Sequence, residues 1–109
     1  MNTTEFQVFE EINAAVTVCD TEGVILYMNK ISRETFGELV GKNLFPCHSE
    51  ASREKIRHML ATGESNSYTI SKNGLRKMIY QTPWRREGKI SGMVEISMVI
   101  PREMPHYQR

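Results

Sequence analysis

Apolar and polar residues alternate along the chain from Ser65 to Ile100, while the stretches on either side of one early hairpin space their apolar positions three and four apart. The hairpin occupies residues 16–30. Two β-rich runs, Val16-Thr17-Val18-Cys19 and Val24-Ile25-Leu26-Tyr27-Met28, are joined by Asp20-Thr21-Glu22-Gly23. Asp20 can bond its own backbone two residues on, and Gly23 can take the positive φ that a four-residue loop demands. Asn29 stands where an N-cap belongs, ahead of Ile31, Thr35 and Phe36 at helical spacing, so a helix is predicted over Lys30–Phe36 and stopped by Gly37. Before the hairpin, residues 5–13 place Phe6, Phe9 or Val8, and Ile12 on one face of a short amphipathic helix. After it come a single turn over 38–41 and a loop, Leu44-Phe45-Pro46-Cys47-His48. Ser49 or Ser52 then caps a longer helix whose stripe is Ile56, Met59 and Leu60, ending at Thr62-Gly63.

In the alternating region, strands are predicted over 67–71 and 75–82, and Asn73-Gly74 between them is a strong hairpin signal. Residues 84–89 read as a loop and 90–100 as the last strand. There Val94, Ile96, Met98 and Ile100 share one face, and Met93, Glu95, Ser97 and Val99 the other. The order of elements predicts an α+β fold, a five-stranded antiparallel sheet with helices packed on one face. The expected division is an N-terminal amphipathic helix over 1–13, a core over 14–100 and an extended tail over 101–109, where Pro101 and Pro105 interrupt any helix.

A chain of 109 residues is large enough for one domain with a core that needs no disulfide or metal. Lys and Arg number 14 against 13 Asp and Glu, a net charge of +1, so no bulk field selects nucleic acid as a direct partner. The longest aliphatic and aromatic run, residues 24–28, is far short of a membrane span. Two unpaired cysteines and no apolar leader place the expected location in the cytoplasm.

Asp20-Thr21-Glu22-Gly23, Asn29, Leu39-Val40-Gly41-Lys42-Asn43, Ala61-Thr62-Gly63-Glu64, Lys72-Asn73-Gly74 and Glu87-Gly88-Lys89-Ile90-Ser91-Gly92 occur in the order and spacing of a PAS domain. The chain resembles that family over residues 10–100. The resemblance implies a sensory or dimerisation module with a central cavity and no catalysis, whose outputs in the family include regulation of transcription. PAS domains house haem, flavins, metabolites or nothing. In the flavin photoreceptors a reactive cysteine directly follows Gly-x-Asn. Here Gly41-Lys42-Asn43 is followed by Leu44, and Cys47 comes three residues later, which disfavours flavin photochemistry. The oxygen-sensing haem members carry an axial histidine on the long helix, and His58 occupies the matching position. At helical spacing, however, His58 falls about 150° from the centre of the Ile56, Met59, Leu60 stripe, which turns it towards solvent. PAS domains that drive a kinase usually leave the last strand through an Asp-Ile-Thr-like exit into a helix. Met98-Val99-Ile100-Pro101 lacks that aspartate, so output is expected to travel through an interface.

Cys47-His48 is the other chemically loaded pair, because a thiolate beside an imidazolium is a nucleophile. Sequence neighbours diverge in a strand or helix, so a core cysteine beside an exposed histidine is the favoured reading, and no metal-ligand spacing joins Cys47, His48 and His58. A thiol enzyme lacks an evident base, orienting acid and oxyanion hole. The expected function is therefore a PAS signalling module. It self-associates as a homodimer or meets a signalling protein in trans, and can be gated by a small apolar ligand. The alternative is a haem or thiol-redox sensor using His58 or Cys47 and His48. Any ligand is expected between the long helix and the sheet, against Ile56, Met59, Leu60, Tyr68, Tyr80, Val94 and Ile96. Phe6, Val8, Phe9 and Ile12 are expected to form the dimer interface.

Overall fold

The structure, a computed structural model, describes residues 3–109 and their side chains except those of residues 3–5 and Cys47. Five strands, β1 (Ala15–Asp20), β2 (Ile25–Met28), β3 (Asn66–Lys72), β4 (Leu75–Arg86) and β5 (Lys89–Val99), form one antiparallel sheet in the order β2-β1-β5-β4-β3. Two α-helices, α1 (Lys30–Phe36) and α2 (Glu50–Thr62), lie with the connecting segment 37–49 over one face. A 3-10 helix over Thr3–Phe9 precedes β1, another covers Phe45–Cys47, and among the described residues no helix or strand follows β5. No helix among the described residues is long and apolar enough to cross a membrane.

Local chemistry sets these boundaries. The Asp20 carboxylate accepts from the backbone N–H groups of Glu22 and Val24, both at 2.9 Å, closing the first hairpin. Asn29 caps α1 and Ser49 caps α2, each accepting from the N–H three residues on, and Gly63 ends α2 in the left-handed region. Asn73 and Gly74 both have positive φ, as a two-residue hairpin turn requires.

Three sequence expectations are corrected. The N-terminal segment is a 3-10 helix rather than an α-helix, because its backbone runs on through bends into β1. Residues 84–89 are not a loop. Glu87 and Gly88, also at positive φ, make a second two-residue turn, so β4 continues through Arg86 and β5 starts at Lys89. Of Met28, Met59, Met78 and Met98, the methionines whose positions in the sequence suit an inward-facing role, Met78 and Met98 are instead exposed, whereas Met93 is buried.

The sheet carries apolar clusters on both faces. Under the helices sit Cys19, Ile25, Met28, Leu44, Ile56, Met59 and Met93. On the opposite face Val16 and Val18 pack with Phe6, Tyr27, Trp84, Val94 and Ile96. The Phe6 and Tyr27 rings stack at 4.3 Å with 6° between their planes, an arrangement that contributes about 0.5–1.5 kcal/mol beyond area burial. Asn29, fully buried, ties the layers together. Its carbonyl oxygen accepts from Val16 and Ser32 N–H, and its amide donates to the Phe9 and Ala14 carbonyls.

Candidate functional site

A cavity of about 280 Å³ opens on the helix side of the sheet, away from α2. Its floor is Thr17 of β1, Ile25 and Met28 of β2, and Met93 and Glu95 of β5. Its far wall is Phe36 at the end of α1, then Leu39, Leu44 and His48 of the segment leading to α2. The floor follows from strand alternation: Thr17 and Cys19 point to the helices while Val16 and Val18 point away, and Thr17 pairs with Glu95, Cys19 with Met93.

Three polar side chains reach this apolar space. The Thr17 hydroxyl meets that of buried Ser32 at 2.6 Å, which joins α1 to the floor. His48 Nδ1 lies 2.9 Å from the Leu44 carbonyl oxygen. Half-buried Glu95 accepts through Oε2 from Gln81 Nε2 at 3.1 Å, and the Gln81 oxygen accepts from Asn66 Nδ2 at 3.1 Å. Gln81 is 3% exposed, so this relay across β3, β4 and β5 satisfies a buried amide at both ends. Asn66 and Gln81 also line a smaller cavity of about 210 Å³ under α2, together with Tyr68, Ala51, Ser52 and Lys55. Burial first, then the Glu95 carboxylate, holds the Tyr68 phenol above its ordinary value.

The seven residues expected to line one ligand site are not brought together. Ile56 and Met59 are buried in one cluster with Leu44 and Met93, and half-buried Leu60 packs against it. Tyr68 lies at the second cavity. Val94 and Ile96 belong to the opposite face, packed with Trp84, and Tyr80 pairs directly with Ile96 on that face. The reason is parity: on β5 the more apolar set, Val94, Ile96 and Met98, turns away from the helices, and Met93, Glu95 and Ser97 turn towards them. Of the four residues expected at an interface, Phe6 is instead buried within the chain, while Val8, Phe9 and Ile12 are exposed. His58 faces solvent and pairs with Glu64 at 3.0 Å. The Cys47 side chain, on which the thiol reading depends, lies outside the described residues. Cys19 is buried, and burial above all pushes its thiol up to about 11. None of the nine residues lining the cavity is among the seven expected ones, and of the nine the sequence singles out only His48, as the partner of Cys47 in the redox alternative. The one available signal was the polar pair Glu95 and Ser97 sharing a face of the last predicted strand.

A family model described as the PAS fold matches residues 9–102. The chain belongs to the PAS-fold family. Solved structures agree in architecture. VqmA of Vibrio cholerae, a dimer discussed among LuxR-type DNA-binding receptors, superposes with a TM-score of 0.72 at 19% identity, covering 93% of this chain and 52% of VqmA. The PAS domain of a Colwellia psychrerythraea protein gives 0.69 at 18% identity, covering 93% and 98%. The Aer2 receptor of Vibrio cholerae, a dual PAS-heme oxygen sensor, gives 0.62 at 21% identity, covering 81% and 95%. This PAS chain thus spans about half the length of VqmA. No curated protein matches it by sequence.

Proposed function

We propose that this chain is a non-catalytic PAS sensory module that takes a small, largely apolar molecule into the cavity between the β1, β2 and β5 floor and the segment joining α1 to α2. The observation that carries this reading is the make-up of the cavity. Six apolar side chains enclose about 280 Å³ and three polar ones converge on it, the composition expected of a site that buries a ligand and orients it through a few contacts. VqmA, part of which shares the fold, is known in a DPO-bound form, which supports a ligand-binding reading. A haem reading at His58 has the side chain's exposure and its Glu64 partner against it.

The test is native mass spectrometry of protein purified from its expression host, followed by amide NMR with a set of bicyclic aromatic fragments. Saturable shifts at Thr17, Leu44 and Met93 are the expected result. Leu39→Trp fills the cavity and abolishes them, at a stability cost no greater than the ~1–3 kcal/mol of an overpacked site. No adduct and no cavity-centred shift would overturn the reading.

Output is proposed to pass through self-association. Val8 is 74% exposed, with Phe9 and Ile12 beside it on the arm that Phe6 anchors, and VqmA is described as a dimer. A homodimer that dissociates when Val8 and Phe9 are both changed to Glu is expected in light scattering. A wild-type monomer across the micromolar range would refute it, leaving a signalling protein in trans as the partner.

A further inference from the structure

The polar atoms around the cavity differ in what they have left to offer. Thr17 and Ser32 hold two hydroxyl protons and use one of them on each other, so the Thr17 hydroxyl can still donate when Ser32 donates to it. His48 Nδ1 faces a carbonyl, which can only accept, so the neutral ring carries its hydrogen on Nδ1 and keeps a lone pair on Nε2. The Gln81 amide cannot be turned over, because its oxygen would then oppose the Glu95 carboxylate and its NH2 would oppose that of Asn66. Donation therefore runs one way, from Asn66 to Gln81 to Glu95, and ends on a carboxylate whose Oε1 has no hydrogen-bond partner among the described residues. No Lys or Arg lines the cavity. What remains unused is two acceptors, Glu95 Oε1 and His48 Nε2, against at most one hydroxyl proton, that of Thr17.

Resting on the cavity reading above, we propose that the site selects its ligand by hydrogen-bond polarity. It takes a small flat molecule that carries an N–H or ammonium donor on one edge, and discriminates against molecules of the same shape that only accept, carboxylates included. An acceptor-only ligand could be met by the Thr17 hydroxyl alone and would leave Glu95 Oε1 and His48 Nε2 without the water they had lost. A donor ligand completes the relay that Gln81 begins.

Indole and benzofuran have nearly the same shape and differ at one edge, where an N–H donor is replaced by an oxygen acceptor. Titrated by amide NMR, indole is expected to shift Thr17, Leu44 and Met93 saturably, with benzofuran binding roughly tenfold or more weakly. Glu95→Gln reverses the local polarity. The new amide oxygen takes over acceptance from Gln81, which turns the new NH2 into the cavity. In that variant the preference for indole shrinks to within about threefold or inverts. Leu39→Trp abolishes binding of both compounds. Equal affinity of the two in the wild type, with both lost in Leu39→Trp, would overturn the polarity inference and leave the cavity standing as a receptor site. Absence of cavity shifts with either compound would overturn the receptor reading and this inference with it.

Discussion

Replacing Asn29 by Ala removes one side chain from the meeting point of the N-terminal arm, β1 and α1. The amide makes four hydrogen bonds of 2.8–3.0 Å, all to backbone groups, and the residue is fully buried. The Phe9 and Ala14 carbonyls lie in only part-buried bonds and can turn to water, so their loss is cheap. The Val16 and Ser32 N–H groups are in buried bonds, and each left unsatisfied costs about 1–3 kcal/mol. Together with the space vacated by the amide, the expected loss is roughly 3–5 kcal/mol, a large fraction of the ~5–15 kcal/mol that holds a domain folded. Ser49→Ala is the comparison, since Ser49 is exposed and its hydroxyl satisfies one N–H at the start of α2, a loss of about 1 kcal/mol. Urea unfolding followed through the single tryptophan, Trp84, and through helical circular dichroism should move the Asn29→Ala midpoint down by about 2 M with an unchanged slope. A midpoint no lower than that of Ser49→Ala would refute the assignment of Asn29 as the knot of the fold.

Gly92 has φ +154 and its missing Cβ would run into the Cys19 carbonyl and the Trp84 indole, so Gly92→Ala is expected to cost roughly 2–4 kcal/mol. Gly88→Ala, with open space around it and only an unfavourable φ, should cost about 1 kcal/mol in the same unfolding assay, and equal losses would contradict the steric argument. The Tyr27 phenol is pushed up to about 12, by burial first and then by its hydrogen bond to Glu10. The unfolded chain ionises this group near 10 while the folded one retains the proton, so its contribution is complete below pH 10 and is lost as the pH rises towards 12. Tyr27→Phe should flatten that alkaline fall in stability, and an unchanged profile would count against it. Glu10 has the opposite sign. Its bonds to Arg33 and Tyr27 hold its carboxyl below the ordinary value, so its contribution is present above that value and fades as the pH falls through the lowered one, a loss that Glu10→Gln should remove from the acid limb.

What could be read from the sequence was local. Asn29, Ser49, Gly63 and the Asn73-Gly74 turn carry their conformations in their own side chains or in the lack of one, so the ends of α1 and α2 and the β3–β4 hairpin were legible. Glu87-Gly88 makes the same turn, but it sits in a charged run that reads equally well as a loop. The site failed for a different reason. Alternation shows which residues of β5 share a face and not which face the helices cover, and here both faces hold apolar residues because the arm bearing Phe6 covers the second one. Assigning the helices to the more apolar set put Val94 and Ile96 in the wrong layer and hid Glu95, the residue that gives the cavity its chemistry.

Cys19 stands in both layers at once. Its side chain packs with Met93, Ile25 and Met28, three residues of the cavity floor, while its carbonyl oxygen accepts the indole N–H of Trp84 at 2.9 Å. The protein's single indole is therefore fastened through one peptide unit to the floor on which a guest would rest. An adjustment of β1 under a bound molecule that lengthened that bond would change the colour and lifetime of the emission. If the cavity takes a guest as proposed, Trp84 reports it from the far side of the sheet, where the guest cannot quench the indole by contact.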